Sequence, residues 1–588
     1  MAVTGTDGAG EWVGAPPGRE VAGLSRVWVD DADTRVRVAS RPGSAVRLAV
    51  WGDCGASEAE LDAGLEHVAA GDWTALTRWS GSYWVSADDG DGRRVLIGDL
   101  SGFRGLHHAR AAGGAHLWST SALPLAGAVR ASPDLAVMTA RLVCGDLWPQ
   151  RSAWSGVECV AGGRALVFDG DGSCRQVDVS GLGALSYEDG ARTLGEALRT
   201  EVERVAVAAG VLGNSCDLSG GLDSSTVTIL AARVAPLLTV HWAGSRASAE
   251  DRAFADRVAG HIRTLSTGHA YAHVVTESGG HFDRPDAPVR LDASVGPLIA
   301  QGTEAAYLVP AIGRPWHLTG HGGDIVLDAD PAAVWVDLVR AGRRREAKRL
   351  VVDAARLRAS APGPSWARVK AAAARDRGEA LRAAARVLRV GGDANVAWPW
   401  LGLNRAVDLL SATGREAVAH LLEEAASADG PRDAARWSDW SALHAAGAVA
   451  RHQEPLHRHC GVRPAHPFLA NSVVRAAFAI PPTERHRNGR YKALLGAALG
   501  DVLPPWLCGR RSKGSFSQAM ITDIRTHRAE LEALVDANPL IGAGLVRADA
   551  ARALLADTAA GRPTGALRAV ITLVADAMWA ESVTGASC

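Results

Sequence analysis

Eight consecutive residues, Leu218-Ser219-Gly220-Gly221-Leu222-Asp223-Ser224-Ser225, set two adjacent glycines among hydroxyls and add a carboxylate. The apolar run ending at Leu218 predicts a buried strand, and residues 226–234 predict the helix behind the loop. Glycine lets main-chain N–H groups close on a phosphate, and a helix opening adds unpaired donors and positive dipole. The three serines can hydrogen-bond phosphate oxygens, and Asp223 can hold the Mg²⁺ that accompanies ATP. Together they describe a seat for the pyrophosphate end of ATP. The Lys-Ser/Thr pair that closes a Walker loop is missing. A bare Gly-Gly pair would suit any strand-to-helix turn, but the full octet carries more than a turn needs.

A second glycine-rich stretch, Leu318-Thr319-Gly320-His321-Gly322-Gly323-Asp324, also follows a short apolar run. Its large side chains are His321 and Asp324. Carboxylates at separate strand ends can converge at the carboxyl edge of a parallel sheet, where open α/β folds bind ligands. An imidazole can take a proton from an amine near neutral pH. Farther on, Gly509-Arg510-Arg511-Ser512-Lys513-Gly514-Ser515-Phe516 forms a basic, glycine-punctuated stretch that could equally be a solvated loop.

These groups require elements to position them. The first ~180 residues carry short β-rich runs, among them Val27-Trp28-Val29, Ser82-Tyr83-Trp84-Val85-Ser86 and Val95-Leu96-Ile97-Gly98. Asp88-Asp89-Gly90-Asp91-Gly92 predicts a hairpin turn between two of them. From about Tyr187, helical stretches alternate with short apolar strands, which implies βα units around a parallel sheet. Thr239-Val240-His241-Trp242 predicts the second strand of that sheet, and Glu250-Asp251 opens a helix. The Ala/Arg-rich stretches around Arg343-Arg344-Arg345 and residues 366–389 predict exposed faces of amphipathic helices.

At 588 residues the chain needs more than one core. Its 47% apolar and 22% charged content is that of a globular protein. A net charge of −1 gives no global attraction to nucleic acid or anionic membrane. No secretory signal or membrane-length apolar stretch is visible. Eight cysteines without Cys-x-x-Cys spacing argue against a zinc site or a disulfide framework, and so for a cytoplasmic location.

The octet resembles the pyrophosphatase loop of the asparagine synthetase family. Those ligases cleave ATP between the α- and β-phosphates, attach AMP to a carboxylate and let an amine displace it. The resemblance implies a PP-loop ATP-pyrophosphatase domain over residues 186–588, with a parallel sheet and a helical extension. Gly98-Asp99-Leu100-Ser101-Gly102-Phe103-Arg104-Gly105 and Gly156-Val157-Glu158-Cys159 look like the amidotransferase half, implying a degenerate Ntn-type αββα sandwich over residues 1–185. The whole is an α/β protein. By the same resemblance Leu218 to Ser225, Val240, Trp242, Thr319 and Gly320 contact ATP. Asp223 and Asp324 hold Mg²⁺, and Lys513 steadies charge on the acyl-adenylate. Arg463-Pro464-Ala465-His466-Pro467-Phe468-Leu469 is expected to be structural.

Two departures shape the functional expectation. Glutamine-dependent relatives carry a cysteine directly after Met1, whereas this chain has Ala2 and no cysteine before Cys54. A methyl group cannot attack an amide, so the amine nucleophile is expected to belong to the substrate. Asparagine synthetases carry glutamate, and β-lactam synthetases tyrosine, where this chain has His321. Lasso peptide cyclases carry a similar Gly-His-Gly-Gly-Asp stretch. The resemblance therefore implies an ATP-dependent, AMP-forming macrolactam synthetase with His321 aiding deprotonation of the amine. Its partners would be a precursor peptide, a leader-peptide recognition protein and a leader peptidase, with no nucleic acid and no membrane. A small-molecule amide ligase, an ammonia-dependent asparagine synthetase and a non-catalytic nucleotide-binding scaffold are the alternatives.

Overall fold

A computed structural model describes the chain except residues 1–2, 8–17, 25, 31–33, 244–248, 266–267, 277–279, 284–288, 295, 487–490, 511–516, 563–564 and 585–588. Ala2 and Lys513 lie outside the described residues.

The β-rich runs near the start build two six-stranded antiparallel sheets. Residues Gly81–Asp88 and Arg94–Ile97 form the expected hairpin, in register from Asp88 opposite Arg94 to Val85 opposite Ile97. Alternation puts Trp51 and Trp84, cross-strand partners on one sheet, toward Trp118 on the other. The three indoles stack, with centroids 6.1 and 6.4 Å apart. The outer face of one sheet is covered by the helix Glu58–Ala70. That of the other is covered by the helices Ala122–Val129 and Leu135–Cys144. The result is a four-layer α-β-β-α arrangement whose inner space holds the three stacked tryptophans among aliphatic side chains.

The later chain forms a five-stranded sheet ordered Tyr271–Thr276, Leu237–Trp242, Asn214–Asp217, His317–Leu318, Pro464–Ala465, all parallel. Asn214–Asp217 is central. The chain leaves it toward Leu237–Trp242 on one side and later returns to place His317–Leu318 on the other. This is a switch point, where a crevice opens at the carboxyl ends of the strands. The fifth strand was not foreseen as a strand. Pro464-Ala465 belongs to the sheet itself, so His466 emerges at its carboxyl edge. Every residue of the helix Leu222–Ala232 is buried.

Buried polar contacts tie the sandwich to the parallel-sheet half. Arg204 grips Asp53 with two bonds of 2.6 and 2.7 Å and also meets Glu201 at 2.7 Å. Leu100 N–H donates to Asn471 Oδ1 at 2.8 Å. Arg104, 3% exposed, reaches Glu454 at 2.6 Å while its guanidinium lies over the Phe103 and Trp84 rings. Removing one member of such a pair strands the other charge in low dielectric. Glu454 keeps Arg458 at 2.9 Å, so Arg104→Met is expected to cost about 1–3 kcal/mol, read as a lowered midpoint in urea unfolding of the full chain.

Candidate active site

The octet occupies the loop between the central strand and its helix. Gly220 has φ +81°, and a Cβ there would lie 2.3 Å from the Asp251 carbonyl oxygen, so only glycine fits. Arg510 fixes this approach. It is buried, donates to Gly220 O, pairs with Asp251 and stacks on Phe254 at 4.3 Å. Arg510 and Asp251 thus brace the loop. Ser219 and Ser224 join hydroxyl to hydroxyl at 2.9 Å, and Gly221 N–H donates to Ser219 Oγ at 3.2 Å. Gly221 is the N-cap of the helix and offers no side chain to its first amides, an arrangement suited to an anion.

The second motif lies against the first. Strand pairing of Ser215 with His317 and Cys216 with Leu318 makes the following loops neighbours. Contact is so close that a Cβ on Gly320 would come within 2.4 Å of Ser224 N. One on Gly323 would come within 2.5 Å of the Asp223 carboxylate. Asp223 and Asp324 then converge on one group that the sequence did not single out, Lys492. Its ammonium is 2.5 and 2.6 Å from the two Asp223 oxygens and 2.6 Å from Asp324 Oδ1. Burial opposes that charge, but the two aspartates hold the ammonium well above the ordinary lysine range. Tyr491 O–H also donates to Asp324 at 2.8 Å, and burial pushes that phenol up to about 12. Mg²⁺ takes one or two carboxylates and fills the rest of its shell with phosphate and water, so Asp223 and Asp324 suit it once the ammonium between them gives way. Among the described residues no set of three or more His, Cys, Asp or Glu side chains could hold a metal.

Beside the loops, a cavity of about 360 Å³ opens at the carboxyl edge of the sheet, within the range of small-molecule sites. Ser219, Val240, Trp242, Thr319 and His321 line it, as do residues not foreseen: Asp217, Glu304, Tyr307, His317, His457 and His466. Val240 O accepts from Leu218 N–H at 2.8 Å, and Trp242 packs edge-on to His281 at 5.6 Å. Asp217 accepts from Tyr307 O–H and bonds His317 Nε2 at 2.8 Å. Burial would raise its pKa, but His317 and Tyr307 hold it below the ordinary range. Asp217 and His317 could have been suspected from position, since each sits at or near the end of a strand that feeds a motif.

His321 is half-buried. Its Nε2 lies 2.9 Å from Ala446 O, so that nitrogen carries the hydrogen and Nδ1 keeps the lone pair. Burial lowers its pKa below the ordinary 6.5, leaving the ring neutral at pH 7. Its edge meets His466 at 5.6 Å, and Thr319 Oγ1 ties both, at 3.2 Å from His321 N and 2.7 Å from His466 Nδ1.

The asparagine synthase family profile matches residues 193–581, more than half of the chain. The chain belongs to the asparagine synthase family. It is accordingly an ATP-dependent, amide-forming ligase in general type. No curated protein matches the sequence. Two solved structures with weak likeness are an allosteric regulatory enzyme of purine biosynthesis and the glutamine phosphoribosylpyrophosphate amidotransferase from B. subtilis complexed with ADP and GMP. They are 11% and 12% identical, over 45% and 48% of this chain and 69% and 64% of theirs. A TM-score of 0.17 for each carries no argument about this ligase. Among the described residues no helix is long and apolar enough to cross a membrane.

Lys492→Met leaves Asp223 and Asp324 facing each other without their shared cation. Loss of one preorganised charge contact at such a site costs on the order of 10²–10³ in turnover. We expect that loss in pyrophosphate release, with an unchanged far-UV circular dichroism spectrum. Gly323→Ala is expected to abolish release as well, because the methyl group would displace the Asp223 carboxylate.

Proposed function

We propose that this ligase closes a peptide macrolactam, as lasso peptide cyclases do, by activating an Asp or Glu side chain and joining it to the same peptide's N-terminal amine. The observation that carries this reading is His321: a half-buried neutral imidazole with Nε2 occupied by Ala446 O and Nδ1 turned to no partner among the described residues. An amine that belongs to the substrate arrives largely protonated at pH 7 and needs such a base. Packing of Trp51, Trp84 and Trp118 among aliphatic side chains in the sandwich interior supports the same reading, since it leaves the front half suited to scaffolding rather than to glutamine hydrolysis.

The steps follow from the groups present. ATP lies with its phosphates on residues 219–225 and its base toward Val240 and Trp242. Asp223 and Asp324 would hold Mg²⁺, which supplies charge neutralisation for the departing pyrophosphate. The peptide carboxylate attacks the α-phosphate, pyrophosphate leaves, and an acyl-adenylate remains. The amine loses its proton to His321 and attacks the acyl carbon, and AMP departs. Lys492 supplies positive charge at this end of the site, with Lys513, by its resemblance to the family's lysine, as the second proposed donor. Holding amine and acyl carbon together supplies much of the rate. Precursor peptide, leader-peptide recognition protein and leader peptidase are the proposed partners, in a cytoplasmic setting.

Incubation with ATP, Mg²⁺ and a leader-free precursor peptide is expected to release pyrophosphate and AMP and to yield a product one water lighter by mass spectrometry. Pyrophosphate release driven by a small amino acid instead, with no change in peptide mass, would overturn the macrolactam reading. Since His321 acts as a base only while neutral, kcat/KM is expected to fall on acidification below pH 6.5, following its lowered pKa. His321→Gln keeps a hydrogen bond to Ala446 but loses the base. It should slow the reaction by about 10²–10⁴-fold and erase that acid limb.

A further inference from the structure

We propose that a second cavity, walled by Arg141, Arg451 and Arg568 on the far side of the helix Ala434–His459 from the nucleotide cavity, binds a small oxyanion.

The cavity measures about 230 Å³ and lies where four parts of the chain meet, one of them Ala293 and Ser294. The end of the helix Leu135–Cys144 brings Arg141 and Asp146, the C-terminal helix Leu567–Thr584 brings Arg568, and the helix Ala434–His459 brings Arg451 and His452. Its lining thus sets three guanidiniums against one carboxylate. Asp146 pairs with Arg141 Nε at 3.2 Å. Arg568 has no carboxylate partner among the described residues and packs against Gly145, where a Cβ would lie 3.4 Å from its Nη2. Arg451 spends Nη1 on Gly102 O at 2.9 Å, but its buried Nε has no partner among the described residues. A buried donor without an acceptor costs about 1–3 kcal/mol, and a guanidinium more. An anion in the cavity would satisfy the buried Arg451 Nε and give Arg568, exposed at the mouth, a charged partner.

Positive charge reaches the groups around the cavity, although the carboxylates of Asp292 and Asp576 also act on His452 and Arg141. Burial raises the thiol of Cys159, yet His107, Arg451 and Arg141 bring it down to about 7. Burial and then Arg451 push His452 down to about 3, so its ring is neutral, with Nδ1–H donated to Ala448 O at 2.6 Å. Its Nε2 lone pair suits an oxyanion that keeps one proton, as hydrogen phosphate does, while the arginines suit any planar or tetrahedral oxyanion. Free phosphate and a carboxylate borne by the acyl substrate share this chemistry. The same helix turns Gln453 and His457 into the nucleotide cavity and lends Ala446 O to His321, so the two cavities are separated by one helix.

Isothermal titration of the full chain with sodium phosphate and with succinate, at constant ionic strength and with ATP saturating, tests the proposal. Saturable binding that persists beside ATP is expected. In Arg568→Gln, which removes a cation at the cavity mouth, affinity should fall about tenfold, the loss of one charge-assisted hydrogen bond, while ATP binding is unchanged. Asp146→Asn removes the competing carboxylate and should tighten binding several-fold. Tighter phosphate than succinate assigns the site to a free phosphate, and the reverse order to the substrate's carboxylate. Failure of both anions to saturate, or binding unaltered in Arg568→Gln, overturns the proposal. Neither result bears on which amide the enzyme makes.

Discussion

The site depends on one shared cation. Asp223 and Asp324 stand 101 positions apart in sequence and meet only because Lys492 lies between them. Two like charges about 4 Å apart repel by about 4 kcal/mol at an effective dielectric near 20. A buried ammonium within 2.6 Å of both turns that repulsion into attraction. Much of the local sequence serves the approach. The central strand and His317–Leu318 lie side by side, so their loops emerge together. Gly320 and Gly323 keep side-chain volume out of the contact. Gly220 lets its loop bend under Asp251, and Arg510 locks that bend. A larger residue at any of these glycines would separate the carboxylates before it changed their chemistry.

The sandwich contributes to the same geometry without reaching the nucleotide cavity. Its link is the helix Ala434–His459. Arg104 and Gly102 hold that helix through Glu454 and Arg451, and the helix in turn presents Ala446 O to His321 and His457 to Glu304 at 3.1 Å. Which nitrogen of His321 bears hydrogen is therefore set by a carbonyl whose position the front sheets help to fix. A half whose interior holds stacked tryptophans still acts on the site, through placement.

Motifs whose chemistry is local were legible in the sequence. The octet and the Gly-His-Gly-Gly-Asp stretch announce strand–loop–helix geometry through composition alone, and both stand at neighbouring strand ends. The Asp88 to Gly92 turn was legible for the same reason. Lys492 was not, because nothing near it in sequence marks it out: its partners lie 269 and 168 positions away, and a lysine beside a tyrosine reads as surface. The role of Pro464-Ala465 was hidden likewise. Two residues cannot display a strand period, and only pairing with His317–Leu318 makes them one. Asp217 and His317 were obscured by the opposite problem, since buried polar residues in short strands resemble ordinary breaks in an apolar run.

On the proposed mechanism the arrangement separates two electrostatic tasks that would interfere if shared. His321 must stay neutral to accept a proton, and burial achieves this even though the charges of Asp217 and Asp324 pull its pKa upward. Lys492 must stay charged, and for it the balance of the same two influences is reversed. The difference lies in contact. Lys492 touches two carboxylates, whereas His321 spends its one N–H on a carbonyl. Asp217, the nearest acid on the central strand, is already committed to Tyr307 and His317 and so does not take the imidazole's hydrogen. Were that commitment broken, a carboxylate free to pair with His321 would favour the imidazolium and remove the lone pair on which amine deprotonation depends.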